Sequence, residues 1–117
     1  MRITFLGGGN MANALIGGLK KQGFSAAGIQ VVEPQPENRE RLTGTYGVRC
    51  AAGVDAAALA CDALVLAVKP QQMKEALAPV PGHLSGQLVV SIAAGLRVDD
   101  IARWLGGYRR LVRTMPN

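Results

Sequence analysis

The sequence predicts an α/β fold in which helices cover both faces of a mostly parallel sheet of about six strands. Short apolar runs alternate along the chain with segments of helical character, and short connections join them. This order is typical of strand–helix–strand units with right-handed crossovers. Of the 117 residues, 49% are hydrophobic and only 4% aromatic. A core of Val, Leu, Ile and Ala suits strands that are buried on both sides.

The first strand and the first helix are predicted close to the N-terminus. Residues 2–6 form a short strand-like run. Residues 10–22 show helical periodicity, with Met11, Leu15 and Leu19 on one face. The glycines between the two segments predict a tight turn from strand into helix.

The next segments predict two further strands and two helices. Residues 29–33 are β-branched and apolar, residues 36–43 are helical, and residues 47–50 form a weak third strand. Pro36 suits the first turn of the second helix. Asp55 is a candidate cap for a short Ala-rich helix.

The second half of the chain continues the alternation to its end. We expect strands at residues 63–68, 87–93 and 111–115, and helices at residues 70–78 and 97–105. The complete order predicts a doubly wound, Rossmann-like domain. In such sheets the ligand binds outside the carboxyl ends of the strands, beside the turn that follows the first strand.

That turn contains the spacing G-x-G-x-x-A, formed by Gly7, Gly9 and Ala12. Gly7 permits the tight turn, Gly9 leaves room for a pyrophosphate against the backbone, and Ala12 lets the helix approach the sheet closely. The first-turn N–H groups around Asn10 and Met11 then face the phosphates. Asn10 is also a candidate helix cap without any ligand.

Glu33 stands 21 residues after Ala12, at the end of the second predicted strand. A carboxylate there accepts hydrogen bonds from the ribose hydroxyls of NAD and repels the additional phosphate of NADP. Arg39 and Arg41 follow closely and favour NADP if they approach this phosphate. Alternatively they are solvated on a helix face, paired with Glu37 or Glu40. The choice between the cofactors is open at this point.

Charge and cysteine content exclude several other classes of protein. The net charge is +5, but the cations are scattered, and no aromatic residues are interleaved in the loose cluster of Arg109, Arg110 and Arg113, so we expect no nucleic-acid partner. Cys50, Cys61 and the single histidine lack metal-ligand spacing, and we expect no metal. No apolar run reaches the length of a membrane span. We expect a cytoplasmic protein with two reduced thiols.

Four segments, "FLGGGNMANALIGGL", "AVKPQQM", "VVSIAAGL" and "RTMPN", resemble pyrroline-5-carboxylate reductase in order and spacing. This resemblance spans essentially all 117 residues. It implies reduction of 1-pyrroline-5-carboxylate to L-proline by hydride transfer from NAD(P)H, the last step of proline biosynthesis. NADP(H) is the usual cofactor of the family. Glu33 stands where the family often has a small hydroxyl residue, which leaves NAD(H) possible.

The resemblance also implies positions for the cofactor contacts. Pyrophosphate contacts fall on Leu6, Gly7, Gly8, Gly9, Asn10 and Met11, and the contacts near the nicotinamide fall on Ala67, Val68, Lys69, Pro70, Ala93, Ala94 and Gly95. Asn117 is expected to lie near the substrate. The residues support two of these regions independently: Lys69 follows a strand end where a cation suits the cofactor, and the small residues after Ser91 leave space for a flat ring. Alternatively, Lys69 is an ordinary exposed lysine, and the small residues after Ser91 form a plain glycine-containing turn.

The same resemblance implies that residues 1–117 form the NAD(P)-binding domain and that a C-terminal helical domain for substrate binding and oligomerisation is absent. Catalytic residues are therefore expected in the absent domain, and the isolated chain is expected to be inactive. Two alternatives remain. One is another Rossmann dehydrogenase, of the β-hydroxyacid dehydrogenase type, and the other is a non-catalytic nucleotide-binding regulatory module.

Overall fold

Six short strands form one sheet in the part of the chain that the structure describes, and all of their pairings are parallel. The structure is a computed structural model and describes residues 1–114. Its strands are β1 (Ile3–Leu6), β2 (Ile29–Val32), β3 (Arg49–Ala51), β4 (Ala63–Leu66), β5 (Leu88–Ser91) and β6 (Leu111–Arg113). They lie in the order β3-β2-β1-β4-β5-β6. This order confirms the predicted doubly wound, Rossmann-like sheet.

Within residues 1–114, four α-helices connect the strands, each at a position where the sequence predicted a helix. They are α1 (Asn10–Lys21), α2 (Pro36–Tyr46), α3 (Met73–Leu77) and α4 (Val98–Trp104). A 3-10 turn, Pro70–Gln72, precedes α3, so the predicted helix at residues 70–78 begins in a tighter form. The helix α2 extends beyond the predicted residue 43 because it ends only at Gly47, whose φ of 72° is the left-handed conformation of a helix terminator.

Two hydrophobic clusters, one on each face of the sheet, form the core. One contains α1 and α2 residues packed on β1 and β2, among them Ala12, Ile16 and Leu42. The other packs α3 and α4 on β4 to β6, with Met73 and Ile101 at its centre. Helices thus lie on both faces of the sheet, as the sequence predicted.

The predicted apolar face of α1 is wrong in one respect. Ala12 and Ile16 are its buried residues, whereas Met11 is 46% exposed. The small Ala12 side chain is what lets the helix lie close to β1, so the stripe through Ala12 faces the sheet. Leu15 and Leu19 are only partly buried beside this stripe.

The predicted Ala-rich helix after Asp55 is also wrong. The carboxylate of Asp55 does accept a hydrogen bond from the Ala58 N–H at 2.7 Å, but the segment makes only a turn. The carbonyl oxygens of residues 57–59 accept hydrogen bonds from the side chains of Gln30, Thr4 and Gln87. These bonds hold the segment against the sheet and take the place of a continuing helical ladder.

Candidate functional site

A cleft of about 590 Å³ opens at the carboxyl ends of β1 to β4, where the strand order reverses. This is the position at which doubly wound sheets bind their ligands. The sequence-predicted residues that line the cleft are Leu6, Gly7, Gly8, Gly9, Glu33, Ala67, Val68 and Lys69. The structure thus brings the glycine turn, the end of β2 and the end of β4 to one site.

Gly7 makes the turn from β1 possible through both its conformation and its lack of a side chain. Its φ of 102° is unfavourable for other residues, and a Cβ atom there would lie 2.8 Å from the Ala67 carbonyl oxygen. Its N–H donates to the Val32 carbonyl oxygen at 2.8 Å. The turn is therefore fixed between the ends of β2 and β4.

Gly9 has open space where a side chain would be, since no atom lies within 4 Å of the position that a Cβ atom would occupy. It is the N-cap residue of α1, and no side chain caps this helix. Asn10 therefore does not act as the cap that the sequence allowed. The first N–H groups of a helix have no partner within the helix, so this end of α1 presents donors and a positive dipole to the cleft.

Gly8 is constrained by packing, a feature that the sequence motif did not indicate. A Cβ atom on Gly8 would lie 2.9 Å from Leu42 Cδ1 and 3.0 Å from Glu33 Cβ. The middle glycine is thus needed for contact with β2 and α2, while its neighbour Gly9 faces the open cleft.

Glu33 is buried, with 6% of its surface exposed, and its carboxylate binds the protein's own backbone. Oε1 accepts the Gly8 N–H at 2.8 Å, and Oε2 accepts the Gln35 N–H at 2.8 Å. These bonds tie the glycine turn to the loop after β2. Each carboxylate oxygen has a second lone pair, so the group retains the capacity to accept from a ligand.

Arg39 lies near the same loop and binds its carbonyl oxygens. Its Nη1 donates to the Glu33 and Pro34 carbonyl oxygens, both at 2.8 Å. Arg41 instead donates from Nη2 to Asn38 Oδ1. Neither arginine forms an ion pair with Glu37 or Glu40 within residues 1–114, so that part of the alternative is wrong, whereas Arg41 is exposed on α2 as the alternative predicted.

Several predicted residues lie next to the cleft without lining it. Asn10 and Met11 form the exposed first turn of α1, and Pro70 starts the 3-10 turn after Lys69. The segment 93–95 follows β5, one strand beyond β4, with Ala93 buried and Gly95 at a φ of 79°. Asn117 and the predicted strand residue Met115 lie outside the described residues.

Part of the cleft wall was not predicted from the sequence. Residues 52–54 after β3 line it, as do Pro34, Gln35, Asn38, Gln72, Glu75, Ala76 and Pro79. The position of residues 52–54 at a strand's carboxyl end was a usable signal, since all such ends meet at one edge of the sheet. Within residues 1–114, no three His, Cys, Asp or Glu side chains are placed to hold a metal ion. No helix among these residues is long and apolar enough to span a membrane.

Comparison with known proteins identifies relatives along the whole chain. A family model described as NADP oxidoreductase, coenzyme F420-dependent, matches residues 2–95. Pyrroline-5-carboxylate reductase of Pseudomonas aeruginosa is 44% identical over 119 residues, which cover 99% of this chain and 43% of that protein. The chain thus spans less than half the length of this curated relative.

Solved structures agree with the sequence comparison. A pyrroline-5-carboxylate reductase from Coxiella burnetii superimposes with a TM-score of 0.89 at 38% identity, over 99% of this chain and 44% of that one. The Plasmodium falciparum pyrroline carboxylate reductase with NADP bound has a TM-score of 0.84 at 24% identity, over 100% of this chain and 42% of that one, and shares the fold. The chain therefore belongs to the family described as NADP oxidoreductase, coenzyme F420-dependent, and its resemblance to pyrroline-5-carboxylate reductases extends over its whole length.

Proposed function

We propose that residues 1–117 are the dinucleotide-binding domain of a pyrroline-5-carboxylate reductase. The single observation that supports this most is the cleft at the strand-order reversal, bordered by the glycine turn, in a chain 44% identical to such a reductase. A nicotinamide cofactor bound in this cleft would supply a hydride to the carbon of the C=N bond of 1-pyrroline-5-carboxylate, and the ring nitrogen would gain or keep a proton to yield L-proline. The role of this domain is to bind and orient that cofactor.

The cleft fits the pyrophosphate of a dinucleotide. The open space at Gly9 allows phosphate oxygens to approach the backbone, and the uncapped start of α1 offers N–H donors. Lys69 lies at the opposite wall, after β4, where its ammonium group adds positive charge. We therefore propose that residues 6–11 bind the pyrophosphate and that Ala67, Val68, Lys69 and Pro70 lie towards the nicotinamide.

The turn after β5 is proposed to border the nicotinamide ring. Ala93 and Ala94 are small, and the left-handed Gly95 turns the chain away from the strand end. Ser91 is completely buried, and its Oγ accepts the Ala93 N–H at 3.4 Å, so it positions this turn. We propose that Asn117 lies near the substrate, beyond the end of β6.

We further propose that the preferred cofactor is NADPH. The Glu33 carboxylate faces two backbone N–H donors, which offset its repulsion of a phosphate. Arg39 brings a permanent positive charge to the same loop, and the hydrogen bonds of the described residues engage only its Nη1. Its other N–H groups suit the 2′-phosphate of NADPH.

A parallel titration of the full-length protein with NADPH and NADH tests this preference. We expect tighter binding of NADPH. The Arg39→Gln variant should lose about tenfold of the NADPH affinity and keep its NADH affinity, because only NADPH carries the 2′-phosphate. Arg41→Gln is the matched control and should change neither. Tighter binding of NADH by the unaltered protein would contradict the proposal.

The catalytic groups, the substrate contacts and the oligomer interface are proposed to lie in the C-terminal part that the relatives possess. The proposed enzyme is a homo-oligomer in the cytoplasm, where a biosynthetic reductase and the free thiols Cys50 and Cys61 are both expected. We expect the isolated 117-residue chain to bind NAD(P)H weakly and to reduce nothing. Measurable turnover by the isolated chain would refute this division of roles.

Substrate assays of the full-length protein separate this proposal from the other two candidates. We expect oxidation of NADPH with 1-pyrroline-5-carboxylate. Turnover with a β-hydroxyacid in place of the imine would indicate a different dehydrogenase with the same fold. Cofactor binding without turnover of either substrate would indicate a regulatory module.

A further inference from the structure

The turn that follows β5 is held at both of its ends by hydrogen bonds to side chains of the sheet. At its start, Oγ of the fully buried Ser91 accepts the Ala93 N–H at 3.4 Å. At its end, Nη1 of Arg113 on β6 donates to the Leu96 carbonyl oxygen at 2.9 Å. The conformation of residues 93–95 therefore depends on a side chain that lies on the next strand of the sheet.

The register of the sheet brings Arg113 to this turn. Arg113 is paired with Ser91 across β5 and β6. The Thr114 N–H donates to the Ser91 carbonyl oxygen at 2.9 Å, which fixes the end of β6 beside the end of β5. Alternate residues of a strand share a face, so Arg113 lies on the same face as Leu111, which packs among α4 residues. The guanidinium group thus reaches the segment through which the chain enters α4.

The Leu96 carbonyl needs a partner from outside its own helix. The Arg97 carbonyl oxygen accepts the first bond of the α4 ladder, and Leu96 stands one residue before it. Leu96 is half-buried, whereas Ala94 and Gly95 are exposed, so packing alone restrains the turn only weakly. A charged donor makes a stronger hydrogen bond than a neutral one, and Arg113 supplies it here.

We propose that Arg113 is a positioning residue for hydride transfer, because its bond to Leu96 fixes the turn at residues 93–95. This inference rests on the proposed function, in which that turn borders the nicotinamide ring. Hydride transfer needs the two reacting carbons in a fixed contact, and a misplacement of about 1 Å slows such a step strongly. The proposed pyrophosphate and 2′-phosphate contacts lie at the glycine turn and the loop after β2. The affinity for NADPH should therefore depend little on Arg113.

Replacement of the guanidinium group in the full-length protein tests this role. Arg113→Met removes the donors and keeps much of the side-chain length, and Arg113→Lys keeps a charged donor. Arg103→Met is the matched control, because Arg103 is an exposed arginine at the other end of α4, paired with Asp100 at 3.1 Å. Arg113 is exposed as well, so all three variants should fold.

We expect Arg113→Met to bind NADPH within about twofold of the unaltered protein and to lose about tenfold in kcat with 1-pyrroline-5-carboxylate. The isotope effect on kcat with NADPH deuterated at the nicotinamide C4 should rise, because hydride transfer becomes the slower step. The fluorescence lifetime of the bound nicotinamide should fall, because the ring is held less firmly. Arg113→Lys should recover most of kcat, and Arg103→Met should match the unaltered protein in every measurement.

Unchanged kcat and unchanged nicotinamide fluorescence in Arg113→Met would overturn the inference. Loss of NADPH affinity in proportion to kcat, with no change in the isotope effect, would also overturn it, since Arg113 would then support binding in general. An unaltered protein that binds NADPH without reducing 1-pyrroline-5-carboxylate would refute the proposed function. In that case the fluorescence of NADPH bound to Arg113→Met and to Arg103→Met still decides whether Arg113 positions the ring.

Discussion

Gly8 and Gly9 are neighbours in the glycine turn, yet a side chain would have different consequences at each. The space around Gly8 is filled by Leu42 and Glu33, whereas Gly9 faces the open cleft. Neither residue has a positive φ. The difference between them is therefore one of packing, and it predicts different effects on folding.

Gly8→Ser should lower the free energy of unfolding by about 1–3 kcal/mol, because its Cβ atom would overlap Leu42 Cδ1 and force the core to adjust. Gly9→Ser introduces the same side chain into open space at a helix N-cap, where serine is favoured, and should leave this free energy within about 0.5 kcal/mol. Urea denaturation of both variants measures the difference. Equal losses at the two positions would contradict the packing described for Gly8.

The fold changes the acidity of Cys61. Burial raises the pKa of the Cys61 thiol, and the neighbouring Thr4 only partly opposes this effect. The thiolate is the reactive form, so a raised pKa means that less of it is present near neutral pH. In a Cys50→Ser variant, iodoacetamide should therefore react with Cys61 more slowly in the folded chain than in urea, and the folded rate should rise only at more alkaline pH. A folded rate equal to the unfolded rate near neutral pH would contradict this.

The glycine motif predicted only part of the site, and Glu33 and Gly8 show the reason. The motif identified Gly7, Gly9 and Ala12, whose roles depend on their own turn and helix. It did not indicate that Glu33 accepts the Gly8 N–H, because this bond joins residues 25 positions apart and forms only once β2 lies beside β1. Burial of a carboxylate at a strand end is a property of the assembled sheet.

At the scale of elements, the segment between β3 and β4 determines how the two halves of the sheet are joined. Local sequence favoured a helix there, since alanines follow Asp55. In the folded chain the carbonyl oxygens of residues 57–59 accept hydrogen bonds from Gln30, Thr4 and Gln87, and these tertiary contacts outweigh helix propensity. Strand and helix positions elsewhere were predictable because each follows its own hydrophobic period.

A buried hydrogen bond fastens this crossing segment to the centre of the sheet. The Thr4 hydroxyl on β1 donates to the Ala58 carbonyl oxygen at 2.6 Å. Thr4→Val keeps the shape but leaves that carbonyl without its partner, which should lower the free energy of unfolding by about 1–3 kcal/mol. Thr45→Val on the exposed face of α2 is the matched control and should change it by less than about 0.5 kcal/mol. Thermal or urea denaturation measures both, and an unchanged Thr4→Val variant would show that the bond does not hold the segment.

At the scale of the whole molecule, the sheet has two unequal halves on its α1 face. The half over β1 to β3 is covered by α1 and α2, and the cleft opens at the carboxyl edge between the halves. The half over β4 to β6 presents Val65, Val90 and Val112 without a covering layer in residues 1–114. We propose that the first half and the cleft serve the cofactor.

The most direct test of the account is calorimetric titration of the full-length protein with NADPH, comparing Gly9→Val with Gly44→Val. Both glycines have no atom within 4 Å of a Cβ position, but only Gly9 borders the cleft. We predict that Gly9→Val abolishes NADPH binding and still folds, because its side chain fills the space proposed for the pyrophosphate, whereas Gly44→Val binds like the unaltered protein. Unchanged NADPH affinity in a folded Gly9→Val variant would contradict the assignment of the cleft as the cofactor site.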